Sequence, residues 1–251
     1  MPRIARKFLL ISLLAAVLLV FLFDGYPRVT RTDRVYIDSF LSIWKMKIDP
    51  AQLHRDFELE RKFIESLQAH TFESLESKLY PIPTDSVGSM RFYFNQREGA
   101  CYDRAIFMEK FLEIAGFDTR HLYIWFPPKE EKNSWTSLLK KKLHSHALLE
   151  VKTLRGWMVV ETFTRFIAID PNNQPYDIQK LRSIQQDPNA TDSAVKQVFP
   201  WYQESGGFQF VYGLYSRHGR FLQSPFESLL RTAGIPSILP DYNLRMLLYN
   251  F

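Results

Sequence analysis

The sequence predicts an α+β domain that follows an N-terminal membrane helix. Three observations indicate this: an uncharged apolar run covers residues 8–23, a helical pattern begins at Cys101, and strand-like runs follow that helix. A helix followed by strands that short turns can join is typical of the α+β class with an antiparallel sheet. The apolar run has the composition of a segment that enters a bilayer.

The composition places most of the 251 residues in a folded domain. Apolar residues make up 46% and charged residues 24%, a balance that disordered chains do not reach. The net charge of +5 comes largely from the first 34 residues and from Lys140–Lys142, and aromatic residues are not interleaved with these basic groups. Since zinc-finger and helix-turn-helix spacings are also missing, we expect no nucleic-acid partner. The single cysteine, Cys101, excludes an internal disulfide.

The apolar run at residues 8–23 has the features of a membrane anchor. Arg3, Arg6 and Lys7 precede it, and a helix of its length spans ~24 Å, slightly less than a hydrocarbon core. Residues 24–27 lack the small-x-small triplet of a signal-peptide cleavage site, which favours an uncleaved anchor over a cleaved signal segment. The basic cluster before the run favours a cytoplasmic N-terminus, although three arginines follow the run. We therefore expect a single-pass protein of the bacterial inner membrane whose domain faces the periplasm.

The chain as a whole divides into four predicted segments. They are an anchor or signal segment at 1–25, a tether at 26–50, a folded domain at 51–180 and a C-terminal extension at 181–251. The sequence assigns no role to the last of these, which proline, glycine and aromatic residues punctuate.

Within the folded domain, local patterns predict two helices and four strands. Asp49-Pro50 is typical of a helix start, and apolar residues at three- and four-residue spacings extend a helix over 51–79. A second helix begins at Cys101, and Gly116 is expected to end it. Strands are predicted over 121–126, 146–151, 157–160 and 166–169, with a hairpin between the second and the third.

Cys101 is the candidate nucleophile, because it lies at the predicted start of its helix. Unpaired backbone N–H groups and the positive end of the helix dipole converge there and favour the thiolate, the nucleophilic form of cysteine. Gly99, two residues earlier, allows a tight turn and a close approach of substrate.

His146 is the candidate base and Glu161 the candidate acid that orients it. His146 opens one strand of the predicted hairpin, and Glu161 follows the return strand. With the turn centred on 153–154 the two residues lie directly opposite one another; with the turn centred on 154–155 they are diagonal neighbours on one face. Either register lets the carboxylate accept the imidazole N–H. A nucleophile, a base and an orienting acid together can carry acyl transfer through a thioester.

Four separated motifs, in this order, resemble the microbial transglutaminase-like superfamily. They are Gly99-x-Cys101-x-Asp103-x-Ala105, then Ala115-Gly116-Phe117-Asp118-Thr119-Arg120, then His146-Ala147-x-x-Glu150-Val151, and finally Gly156-Trp157. The resemblance covers about residues 55 to 175. It implies a papain-like fold in which the cysteine lies on a helix packed against an antiparallel sheet that bears the histidine and the acid.

The acid departs from the superfamily pattern, which usually has Asp fifteen residues after the histidine. Glu161 occupies that place here, and its longer side chain changes the geometry. Asp170, followed by Pro171, is similar to the superfamily's D-P ending and is therefore the alternative acid.

Two further roles at the same site have candidate residues. Gln96, or its neighbour Asn95, lies just upstream of the cysteine and could bind the oxyanion as an amide donor does in papain-like enzymes. His144 lies two residues before His146 on the same strand face and is a rival base.

The resemblance implies a membrane-anchored cysteine hydrolase, either a thiol protease or amidase or an acyl transferase. Its expected partner is a protein or peptide substrate with an amide bond, and no cofactor or metal is expected, because the remaining histidines lack metal-ligand spacing. The alternative is a catalytically inactive transglutaminase-like module that serves binding or assembly at the membrane.

Overall fold

A computed structural model of the chain describes residues 29–78, 88–126, 145–186 and 208–212, together with Ser12 and the pairs 216–217 and 220–221. Apart from Ser12, the predicted membrane segment at 8–23 lies outside the described residues. Within the described ranges, no helix combines the length and the apolar character needed to cross a bilayer.

The described residues form a mixed α+β fold with an antiparallel sheet, as predicted. The helices are α1 (Arg31–Trp44), α2 (Pro50–Leu53), α3 (Phe57–Ser74), α4 (Met90–Gln96), α5 (Cys101–Ile114) and α6 (Ile178–Gln186). The strands are β1 (Thr119–Trp125), β2 (Ser145–Thr153), β3 (Gly156–Val160) and β4 (Gln209–Tyr212), with the short pair β5 (Ser216–Arg217) and β6 (Arg220–Phe221).

The prediction of one continuous helix over 51–79 is wrong, because the chain forms α2 and α3 there. Asp56 starts the second helix by accepting the backbone N–H of Leu59 at 2.9 Å. In the turn between the two helices, Nε2 of His54 lies 3.0 Å from the carbonyl oxygen of Ala115. Capping and tertiary contact together therefore override the apolar periodicity.

Helix α5 is the central helix of the fold and is buried around most of its circumference. It begins at Cys101 and is followed by Gly116 at φ +84°, both as predicted. Two of its buried charged residues bond to side chains of neighbouring elements. Lys110 Nζ lies 2.6 Å from the carboxylate of Asp33 in α1, and Glu109 lies 3.0 Å from Nδ1 of His121 in β1. Buried charged groups are tolerated when a partner of this kind bonds to them, as Asp33 does to Lys110.

The main sheet has the strand order β3-β2-β1-β4, and every pair in it is antiparallel. In the β2–β3 hairpin, Leu149 pairs with Val160 and Thr153 with Gly156. The turn is therefore centred on 154–155, the second of the two predicted registers. In that register, His146 is a diagonal neighbour of Glu161, the residue after β3, and not its direct neighbour.

The prediction of a fourth strand over 166–169 is wrong. Ile167 and Ile169 form only isolated bridges, to Val160 and to Pro175. A turn cuts the run short, because Asp170 Oδ1 accepts the backbone N–H groups of the residues two and four positions later, each at 2.8 Å.

Apolar side chains cover both faces of the sheet. Ala147, Leu149 and Val151 of β2 belong to one core cluster, which includes the apolar residues of α5. Leu148, between them, belongs to a second cluster that includes Ile178 and Leu181 of α6. The alternation places α5 on one side of the sheet and α6 on the other.

Two of the segments expected to lie outside the domain contribute to this fold. In the expected tether, Ile37 and Phe40 of α1 are completely buried in the core that surrounds α5. In the expected C-terminal extension, β4 pairs with β1, with Val211 opposite Tyr123. Residues on both sides of the predicted domain boundaries therefore complete the core and the sheet.

Candidate active site

Cys101 is the first residue of α5, and its side chain is partly exposed. The carboxylate of Asp103 organises this helix start by accepting the backbone N–H of Ala100 at 2.9 Å. A Cβ atom on Gly99 would lie 2.8 Å from Cβ of Asp103, so only glycine fits where the chain enters the helix. The backbone N–H of Tyr102 donates to the sulfur, which consequently lies at the positive end of the helix dipole.

His146, the second residue of β2, connects the sulfur to the acid. Its ring is 6% exposed and forms hydrogen bonds with the side chains of both Cys101 and Glu161. Nε2 bonds to Oε1 of Glu161, which leaves Nδ1 for the sulfur. Strand β3 pairs with β2 only as far as Leu149, and beyond that point the backbone N–H of Ala147 donates to the sulfur instead. Helix α5 therefore meets the sheet at the open edge of β2.

Glu161 lies directly after β3 and is 2% exposed. One of its oxygens bonds to His146, and the other accepts the backbone N–H groups of Phe163, at 2.7 Å, and Thr164. The carboxylate is therefore held by the loop that follows it as well as by the imidazole.

Two side chains from other parts of the sequence, Gln68 and Arg104, hold the loop 161–166, and Thr162 within the loop adds a third contact. Nε2 of Gln68 in α3 donates to the carbonyl oxygens of Glu161 and Phe166, each at 2.8 Å. Arg104 Nη1 lies 3.3 Å from the carbonyl oxygen of Thr162. The Thr162 hydroxyl in turn donates to the carbonyl oxygen of Ala147 at 2.5 Å, which ties the loop to the strand that carries His146.

The three candidate residues form a charged set. Burial alone raises the pKa of the Cys101 thiol, but the charge and hydrogen bond of His146, with two backbone N–H groups, outweigh burial and lower that pKa below its ordinary value. Burial alone lowers the pKa of His146, but the charges of Glu161 and Cys101 outweigh it and raise the pKa to about 10. Burial likewise opposes the charge on Glu161, and His146 with the loop N–H groups lowers its pKa overall. The mutual interactions therefore favour a thiolate, an imidazolium and a carboxylate over the neutral forms of these groups.

Such a set provides the groups that acyl transfer requires. The thiolate is the attacking form of cysteine, and the imidazolium can give its proton to a leaving amine. The carboxylate fixes the imidazole orientation and stabilises its positive charge.

The structure brings together Cys101, His146 and Glu161, but not the alternative acid. Asp170 uses its carboxylate to close its own exposed turn, as described above, and Glu161 is the residue bonded to His146. Gln96 is the exposed last residue of α4, and its predicted role at the oxyanion stays a prediction. The rival base His144 lies outside the described residues.

The sequence predictions missed Gln68, Arg104 and Thr162, which position the acid. A signal existed for Arg104, since it is a charged residue one turn after Cys101 in a helix that is otherwise mainly apolar on that side. Gln68 had no such signal, because its partner Glu161 lies 93 residues away in the chain.

Comparison with known proteins adds no family assignment: no family model matches the chain, and no curated protein matches it either. In the described residues, no cluster of three or more His, Cys, Asp or Glu side chains could hold a metal ion. Function is therefore inferred below from the geometry of Cys101, His146 and Glu161.

Proposed function

We propose that the chain is a membrane-anchored cysteine hydrolase, a peptidase, amidase or acyl transferase of the transglutaminase-like type. The observation that supports this most strongly is the contact chain from Cys101 at a helix start, through His146, to Glu161. The three residues come from two separate elements and the loop after a third, and all three have perturbed pKa values, a combination that is common at catalytic sites.

The proposed reaction begins with attack by the Cys101 thiolate on the carbonyl carbon of an amide. A carbon–sulfur bond forms, the carbon–nitrogen bond breaks, and His146 transfers its proton to the departing amine. Water, or a second amine, then attacks the thioester while neutral His146 takes its proton. The carbon–sulfur bond breaks, which restores the thiolate and the imidazolium. Gln96 is proposed as the donor to the transient oxyanion.

The proposed fold type is that of papain-like and transglutaminase-like enzymes. Two features support it: a cysteine-bearing helix packs against an antiparallel sheet that carries the histidine, and the acid follows that histidine by fifteen residues. The proposed location is the bacterial inner membrane, with residues 8–23 as a single-pass anchor and the domain in the periplasm. The apolar composition of that run supports this location.

Alkylation of the only cysteine tests the proposal without knowledge of the substrate. Because the chain has one Cys, uptake of iodoacetamide, measured by mass spectrometry, reports Cys101 alone. We expect fast alkylation that persists well below about pH 8.5, the ordinary thiol pKa. With p-nitrophenyl acetate as a second reagent, we expect a burst of nitrophenol as Cys101 is acetylated. Cys101→Ser should abolish both signals, and His146→Ala should return the alkylation profile to that of a free thiol.

His70→Ala is the matched control, since His70 is a half-buried histidine of α3 stacked on Trp44. This variant should behave like the wild type. Slow alkylation that follows an ordinary thiol and does not depend on His146 would refute the proposal and favour the non-catalytic binding module.

A further inference from the structure

Arg104 is a buried cation one helical turn from the proposed nucleophile. It lies three residues after Cys101 in α5 and is 5% exposed. Residues at this spacing share a helix face, so the base of the Arg104 side chain lies on the same side of α5 as the sulfur. Its guanidinium stacks over the ring of Phe72, 4.6 Å from the ring centroid.

The hydrogen bonds of Arg104 all go to backbone carbonyl groups in the described part of the chain. Nη2 and Nε lie 2.7 and 3.2 Å from the carbonyl oxygen of Leu75, and Nη1 bonds to Thr162 as described above. No described carboxylate lies within ion-pair distance of this guanidinium, in contrast to Lys110 and its partner Asp33 on the same helix. A buried cation without a paired anion is unfavourable unless negative charge lies nearby.

The nearby negative charge belongs to the candidate active site. Arg104 interacts electrostatically with the Cys101 thiolate and with the Glu161 carboxylate. The thiolate and the carboxylate carry two negative charges, of which the His146 imidazolium balances one. Arg104 supplies the second positive charge, which makes the set of four groups neutral as a whole.

Arg104 also connects the two parts of the chain that flank the site. Leu75 directly precedes Glu76, whose backbone bonds to Arg97 and Gly99 in the segment that leads into Cys101. Thr162 directly follows the acid. The Arg104 guanidinium thus bonds to Leu75, next to the residue that holds the segment before Cys101, and to Thr162, next to Glu161.

We propose that Arg104 is a positioning residue, which holds the loop after Glu161 and provides the counter-charge that keeps Cys101 a thiolate beside a buried carboxylate. This inference rests on the proposed function. It assigns to Arg104 an electrostatic role that a merely structural arginine would not have, and that role predicts a change in the titration of the sulfur.

The test compares Arg104→Gln, which removes the charge, with Arg104→Lys, which keeps it but loses the planar fork. The readouts are the pH midpoint of Cys101 alkylation by iodoacetamide and the rate of Cys101 acetylation by p-nitrophenyl acetate. Arg104→Gln should raise the midpoint by about one pH unit or more, and so slow alkylation on the acid side about tenfold. Arg104→Lys should keep the midpoint close to that of the wild type but acetylate about tenfold more slowly, because the bond to Thr162 is weakened.

Lys110→Met is the matched control, because it removes a buried positive charge from the same helix away from the sulfur. It should lower stability and leave the alkylation midpoint unchanged. A folded Arg104→Gln variant with the wild-type midpoint overturns the inference. If Arg104→Gln does not fold, the test rests on Arg104→Lys. A wild-type rate of Cys101 acetylation in Arg104→Lys overturns the positioning role. An ordinary thiol profile in the wild type, by contrast, rejects the proposed function itself.

Discussion

His146 and Glu161 lie fifteen residues apart in the chain and bond directly, Nε2 to Oε1, across the open end of the β2–β3 hairpin. The second oxygen of Glu161 accepts two backbone N–H groups of the following loop. The residue at this position therefore needs two acceptor oxygens, held at a fixed distance from the backbone. Glutamate meets this need here, where the proposed transglutaminase-like type would usually have aspartate.

Replacement of Glu161 is the most direct test of this geometry. Glu161→Gln keeps an acceptor for one side only, and its NH₂ group then faces either the imidazole or the two loop N–H groups. We expect Cys101 acetylation by p-nitrophenyl acetate to fall by up to about 10⁴-fold, the loss seen when the orienting acid of a triad is replaced by its amide. Glu161→Asp should be impaired as well, because its carboxylate is shorter by one methylene group.

Asp170→Asn provides the control for the Glu161 variants. The Asp170 carboxylate closes only its own exposed turn. The rate of Cys101 acetylation in the Asp170→Asn variant should therefore match that of the wild type. Equal losses in Asp170→Asn and Glu161→Gln would contradict the assignment of Glu161 as the orienting acid.

The pH dependence of acyl transfer should show a broad plateau. On the acid side the rate falls when Cys101 gains a proton, and its lowered pKa puts that limb below the range of an ordinary thiol. On the basic side the rate falls as pH rises through about 10, where His146 loses the proton that the leaving group needs. The acetylation rate constant, measured with an amide or anilide acyl donor across this range, should trace both limbs. A basic limb near the ordinary histidine pKa would contradict the ion pair.

Gln68 gives a prediction about the loop that carries the acid. Gln68→Leu removes the donor to the carbonyl oxygens of Glu161 and Phe166; the Phe166 oxygen still accepts the backbone N–H of Glu161, whereas the buried Glu161 oxygen loses this donor. We expect the free energy of unfolding in urea to fall by about 1–3 kcal/mol, and Cys101 acetylation to slow about tenfold or more as the acid shifts. Gln52→Leu, at an exposed position of α2, should change neither quantity. A stable Gln68→Leu variant with wild-type acetylation would show that the loop holds its place without this residue.

Local sequence signals were sufficient for the elements that carry the candidate site. The helix at Cys101 follows from apolar spacing with a glycine stop, and the hairpin follows from two short apolar runs around a tight turn. Both predicted registers of the hairpin, with the turn centred on 153–154 or on 154–155, keep His146 and Glu161 on one face. The choice between the two registers depends on the geometry of the turn. Thr153 Oγ1 bonds to the carbonyl oxygen of Gly156, which has φ +120°, and so centres the turn on 154–155.

Contacts between distant parts of the chain account for what the sequence did not predict. The break between α2 and α3 depends on His54 reaching a carbonyl 61 residues later. The bond from Arg104 to the loop spans 58 residues, and a periodic pattern carries no information about such a pairing.

Glu150, on the far side of β2 from α5, predicts how stability changes with pH. It is completely buried, with Oε1 2.7 Å from the backbone N–H of Ile178 at the start of α6. Burial raises its pKa from an ordinary 4.5 to about 7, so between these values the folded state binds the extra proton. Stability should therefore decrease as pH rises from about 5 to 8, with a contribution from this group of up to about 3 kcal/mol.

In Glu150→Gln, where an amide oxygen can still accept the Ile178 N–H, urea unfolding should show a flatter pH dependence. Glu65→Gln, which alters a half-exposed carboxylate on the surface of α3 that pairs with Arg61, should keep the wild-type slope. Equal slopes in Glu150→Gln and the wild type would mean that another group sets the dependence.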